Sequence, residues 1–129
     1  MLALQALYSW DFTGIPTDEL TRFAWLDEER RVAYDENTLS FAAMLVKGTL
    51  EHIEQIDEAI RDQLEHWDFS RLAKVDLAIL RFSVYALLFQ QDIPHSVTID
   101  EAIDLAKQYG NDDSYRFING VLDGIRKRL

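Results

Sequence analysis

The side chains able to move protons, attack a carbonyl or hold a metal are few and scattered. The 129 residues contain no cysteine and three histidines, His52, His66 and His95. Thiolate metal sites, disulfides and cysteine nucleophiles are therefore excluded, which fits a reducing cytoplasm. No histidine belongs to an H-E-x-x-H pair, and none follows a glutamate by three residues, as a carboxylate-bridged di-metal bundle requires. Asp92 precedes His95 by three, but Pro94 makes that stretch a turn, so the two need not share a helical face. All three histidines read as surface residues. Ser9 and Ser114 have no base within local reach, and neither a P-loop nor a G-x-G-x-x-G is present. The carboxylates of EHIEQIDEAIRDQLE (51–65) read as a solvated helical face. No enzyme, metal site or cofactor is expected.

One stretch is suited to binding. In NDDSYRFINGVLDGI (111–125), Asp112, Asp113, Arg116 and Asn119 surround Phe117 at the start of a helix. An exposed Phe117 could stack an unpaired base, with nearby amide donors reading its edge. A buried Phe117 would be ordinary core, and Asn119 a packing or capping residue. Residue types alone leave both open.

The elements that would position such a site are helices. A hydrophobic fraction of 48% in a chain of this length suits one packed domain, 1–129. The first segment places Leu4, Leu7 and Tyr8 on one stripe, widened by Trp10 and Phe12 and ended by Gly14 and Pro16. Thr17 is a plausible cap before Leu20, Phe23 and Ala24. The pattern from Asp35 to Trp67 suggests two helices or one long bent one, with the break placed near Gly48–Glu51. Asp68 is placed to cap a helix that is apolar over most of its circumference and therefore central. Thr98-Ile-Asp-Glu101 has capping-box spacing, and Gly110 suits a left-handed end. Asp113 or Ser114 caps the last helix, which ends in Arg126, Lys127 and Arg128. Gly120 and Gly124 suggest close helix packing. The class is all-α, with six or seven helices.

The net charge of −10 argues against non-specific nucleic-acid binding. Residues 1–70 hold 15 of the 23 acids and 5 of the 13 bases, while 71–129 hold eight of each. A polyanion would prefer the second half or the seam between halves. No positive n-region or membrane-spanning segment is seen, so neither a signal peptide nor a membrane anchor is expected.

ALQALYSWD (3–11), RLAKVDLAILRFSVYALLF (71–89), IDEAIDLAKQYG (99–110) and DSYRFINGVLDGI (113–125) together resemble the NusB transcription antitermination factor family. The resemblance implies two small helical bundles packed side by side, about 1–66 and 67–129. It also implies a cytoplasmic, non-catalytic adaptor. Such an adaptor pairs with ribosomal protein S10 (NusE) and recognises single-stranded boxA RNA of nascent ribosomal RNA transcripts. Contact with other Nus factors and RNA polymerase would be indirect, and a homodimer is possible. Carried across by position, Tyr8, Arg81, Asp113, Arg116, Phe117 and Asn119 fall on the RNA surface, and Tyr8 and Asp76 on the NusE surface.

Two departures stand out. Asp100 occupies a position where many family members carry asparagine. Members also carry an arginine-rich segment just before the first helix, where Met1 and Leu2 stand here, so the chain looks like a member without its basic arm. Losing two or three hydrogen bonds of that arm would weaken RNA binding by ~3–9 kcal/mol if all were engaged, with exposure and non-additivity favouring the low end, about a hundredfold. It would also leave residues 1–4 prone to fraying. The alternative is a NusB-type protein-interaction module, a dimer or an S10-binding chaperone, without productive RNA binding.

Overall fold

In the computed structural model, helix α1 (Leu2–Thr13) stops where Gly14 adopts a left-handed φ of 64° and its N–H bonds to the Trp10 carbonyl. Its buried side is Leu2, Ala3, Leu4, Ala6 and Leu7. Trp10 widens the stripe as expected, half-buried against the core, but the other two aromatics do not join it. Tyr8 and Phe12 remain 39% and 61% exposed, and their rings meet edge-on at 4.9 Å. Burial of Leu2, Ala3 and Leu4 gives the first turn an anchor, so the packing supplies no reason for it to fray.

The structure describes residues 1–23, 25–65 and 68–129. Ala24, His66 and Trp67, assigned above to an apolar stripe, a surface histidine and a helix end, lie outside the described residues.

Helix α2 (Thr17–Thr21) begins at Thr17, with Pro16 at the cap position, so Thr17 is its first residue and not its cap. The next two helices start on aspartate side-chain caps instead. Asp27 accepts the Arg30 N–H at the start of α3 (Glu28–Val32), and Asp35 accepts the Thr38 N–H at the start of α4 (Glu36–Glu51), both at 2.7 Å. The expected break comes at His52, one residue beyond the anticipated window, before α5 (Ile53–Asp62).

Asp68 caps a 3-10 turn, Phe69–Arg71, and not the central helix. Leu72 and Ala73 are extended, so α6 (Lys74–Phe89) starts only at Lys74. Every residue from Asp76 to Leu87 is buried, as expected of a helix that is apolar nearly all round. Helix α7 (His95–Tyr109) starts directly after Pro94. Thr98 therefore lies buried within the helix, and the expected capping box does not form. Gly110 is extended (φ −89°, ψ −173°), not left-handed. What it supplies is room, because a Cβ there would come within 2.6 Å of the Ser114 side chain. Helix α8 (Ser114–Lys127) completes the chain. Among its glycines only Gly124 is closely approached, by Gln63, while Gly120 faces open space.

Among the described residues there are eight helices, six of them long, and no strand. No helix among them is long and apolar enough to cross a membrane. Helices α1, α4, α5, α7 and α8 all pack on α6, and one continuous core runs through them. A smaller cluster of Leu2, Phe23, Leu26 and Ala42 sits beside it.

Close packing gives a first testable consequence. At Gly48 of α4 an added methyl would overlap the Tyr85 ring of α6. Gly48→Ala would gain ~1 kcal/mol of helix propensity but lose ~1–3 kcal/mol to overpacking. A lower thermal midpoint by circular dichroism is expected. A higher midpoint would show that Tyr85 moves aside freely.

Candidate functional site

The starts of α6 and α8 meet along one groove of about 810 Å³. Arg71, Leu72, Ala73 and Asp76 line one side, and Asn111 to Ser114, Arg116 and Phe117 line the other. First-turn N–H groups of a helix lack intrahelical acceptors, so each helix start brings partial positive charge to the groove. The segment before α8 is held by a short local network. The Asn111 N–H bonds to Ser114 Oγ at 3.0 Å, and the Asp113 N–H bonds to Asn111 Oδ1 at 2.9 Å. Asp113 occupies the cap position without a side-chain cap bond, and the Ser114 hydroxyl turns back to Asn111, so neither caps α8 in the expected way.

Asp76 is 6% exposed, and its Oδ1 has no hydrogen-bond partner. Burial pushes its carboxyl above the ordinary value of 3.8, opposed by a hydrogen bond from Ser114. The folded protein thus holds the Asp76 proton more tightly than the unfolded chain does. The associated stability is complete below the ordinary carboxylate range and is lost as pH rises through the raised value. Asp76→Asn cannot ionise, so its thermal midpoint should exceed the parent's at pH 7, with the gap closing below about pH 4. The gain should stay under ~2 kcal/mol, since the amide still buries polar atoms. A gap that widens in acid would contradict the assignment.

Asp76, Asp112, Asp113, Arg116 and Phe117, all singled out in the sequence, come together in this groove. Phe117 is half-buried against the core, and Arg116 is exposed, with Nε donating to the Tyr115 hydroxyl at 2.9 Å. Asn119 does not join them. Two helical positions place it about 200° around α8 from Phe117, on an exposed face. Tyr8 is exposed on α1, outside the groove lining.

Arg81 is the clear correction. Read from sequence as an RNA contact, it is 6% exposed and fully engaged inside the fold. Its Nε and Nη2 donate to the two Asp57 carboxylate oxygens of α5 at 2.9 and 3.0 Å. Its Nη1 lies 3.6 Å from Asp11 of α1, which also pairs with Lys74 at 3.2 Å. The guanidinium stands 5.4 Å from the Trp10 ring centre. Arg81 ties three helices together.

Arg71 was missed. It sits in a 3-10 turn forty residues from Asn111, and only the fold joins them. The two described histidines are also less exposed than expected. His52 and His95 are half-buried, and His52 stacks on Phe89 with ring centres 4.1 Å apart. Among the described residues no group of three His, Cys, Asp or Glu side chains could hold a metal ion.

A model of the NusB family matches residues 1–127. The transcription antitermination protein NusB of Treponema pallidum (strain Nichols) is 53% identical over 127 residues, covering 98% of this chain and 89% of its own. Among solved structures, T. maritima NusB superimposes with a TM-score of 0.84 at 39% identity, over 98% of this chain and 86% of that one. A crystal structure of antitermination factors NusB and NusE in complex with dsRNA superimposes with a TM-score of 0.86 at 30% identity, over 99% and 92% of the two chains.

Proposed function

The chain belongs to the NusB family, and from that premise we propose that it is a transcription antitermination factor that pairs with NusE and binds RNA. Its RNA would be the boxA element of nascent ribosomal RNA transcripts, and its place of action the cytoplasm. It would catalyse nothing, acting by adding contacts that slow dissociation of a larger transcription complex. The observation that carries the reading is near full-length similarity to a NusB that was solved together with NusE and RNA. That complex also favours this reading over a protein-only module.

Within this reading the groove between α6 and α8 takes RNA, with Phe117 as its aromatic platform, Arg116 beside it and Asp113 on its rim. Tyr8 and Asn119 would be reached by RNA extending past the groove. Arg81 is a positioning residue. The acidic first half, residues 1–70 with Tyr8, would face the basic NusE, where opposite charge speeds encounter. A bundle of about 1–66 would then serve the protein partner, and one of about 67–129 chiefly the RNA.

Calorimetric titration with purified NusE, followed by titration of each form with boxA RNA and a scrambled control, tests this. Saturable NusE binding and tighter, sequence-selective RNA binding by the pair are expected. No heat with NusE, or equal affinity for the scrambled RNA, would overturn it.

A further inference from the structure

We propose that the apolar notch between α4 and α7, over the C-terminal half of α6, docks a basic amphipathic helix of a protein partner. That helix seats an apolar side chain in the notch and turns lysine or arginine toward the acids of α7. The proposal adds a further surface to the chain and stands whether or not the groove takes RNA.

The notch follows from the packing. Helices α4 and α7 both pack on α6 but hardly on each other. Small residues of α6, Ser83 and Ala86, form the floor between them, with Phe41 of α4 and Val97 of α7 at the lips. The space is about 270 Å³, below the ~300–1,000 Å³ of small-molecule pockets, so it suits one or two side chains and not a cofactor. A lone exposed apolar side chain carries no message. Here Phe41 and Val97 are 48% and 54% exposed and flank an apolar hollow, an arrangement that marks protein-binding surfaces. Asp76 and Ala86 stand ten residues apart in α6, about 15 Å along the helix, so the notch is separate from the groove described above.

Charge identifies the occupant. Glu101 lines the notch, and Val97, Glu101 and Asp104 recur at i, i+4 and i+7 on one face of α7. Asp100, Glu101 and Asp104 are exposed, and none has a salt bridge among the described residues. No lysine or arginine among the described residues lines the notch. An acidic rim without cations repels a nucleic-acid backbone. A second copy fits poorly too, since a two-fold interface would bring each acidic rim near its own image, between molecules of net charge −10. A basic partner is left. Its form follows from the walls. Among the described residues there is no strand for a peptide to extend, whereas a trough between two helices takes an amphipathic helix with anchors at i, i+3 and i+4.

The test is chemical-shift mapping of the isotopically labelled chain with a lactam-stapled amphipathic peptide of about fourteen residues, its leucine stripe flanked by lysines. A second peptide has glutamates in place of the lysines. The lysine peptide should bind saturably, with shifts concentrated at residues 41–45, 82–86 and 93–101, and about tenfold or more tighter than the glutamate peptide. Glu101→Gln with Asp104→Asn should weaken the lysine peptide about 2- to 30-fold, the loss of two surface ion pairs, without weakening the glutamate peptide. Val97→Ser should weaken both. All three side chains are exposed, so these variants should fold as the parent does. Shifts scattered over the surface, equal affinity for the two peptides, or a lysine peptide indifferent to the acid variants would overturn the proposal. So would a dimer in sedimentation equilibrium that Val97→Ser dissociates, which would make a second copy the occupant. Shifts of the same residues on adding NusE or boxA RNA alone would overturn it by assigning the notch to those partners.

Discussion

Replacing Arg81 by methionine is expected to lower the thermal midpoint by about 12–19 °C, the largest stability effect of any single change at the groove or its supports. The substitution keeps most of the side-chain volume but leaves the Asp57 carboxylate buried without the two hydrogen bonds it now accepts. Breaking one partner out of a buried pair costs ~3–5 kcal/mol, because the remaining charge is uncompensated. At roughly 2 cal/mol/K per residue of unfolding entropy, that cost over a chain of 129 residues corresponds to the stated shift. Asp11 and Lys74 can still pair with each other, so the damage centres on the α5–α6 contact. The paired change Arg81→Met with Asp57→Leu removes both charges and should recover much of the loss. Calorimetry on the three proteins checks this. A single variant within about 3 °C of the parent would show that water reaches Asp57 readily and that the network is not what joins the helices.

Phe117→Ala is expected to reduce RNA affinity about 5- to 150-fold, the range corresponding to one base–aromatic stack worth ~1–3 kcal/mol. Phe117 also packs partly against the core, so the alanine variant loses stability as well, and affinity alone would not separate the two roles. Phe117→Leu does separate them. It keeps the apolar contact but has no ring to stack on, so its midpoint should return toward the parent's while RNA affinity stays low. Anisotropy and thermal melts on the same preparations provide both readings. If leucine restored RNA binding together with stability, Phe117 would be a packing residue and the groove would have lost its platform.

Much of the fold is legible in the residues, for identifiable reasons. The central helix is apolar over most of its circumference, a pattern that burial on nearly all sides satisfies. The α4–α5 break follows from the excess length of the pattern. The misreadings share a different origin. Thr98–Glu101 carries the local signature of a helix start, but Pro94 begins the helix earlier, and the same four residues then fit inside it. Gly110 follows a helix, which ordinarily signals a left-handed end, yet its requirement is contact with Ser114. Local rules cannot rank two helix starts four residues apart, nor see a side chain arriving from the next turn.

The candidate site divides along the same line. Residues 111–117 are contiguous, so Phe117 and its neighbours could be picked out as a unit. The facing wall, Arg71 to Asp76, belongs to another helix start, and nothing local links it to them. Arg81 shows the cost of that blindness. The resemblance placed Arg81 on the RNA surface by position, whereas its buried partner lies 24 residues earlier in the chain and its second acid is on α1, a meeting that only the fold makes visible.

Backbone chemical-shift mapping of the isotopically labelled chain, in complex with unlabelled NusE, on adding boxA RNA tests the central claim most directly. The RNA-dependent shifts should concentrate at residues 71–76 and 111–117, where the starts of α6 and α8 meet. Shifts confined to the far side of α6, around Phe41 and Val97, with the groove unperturbed, would contradict it.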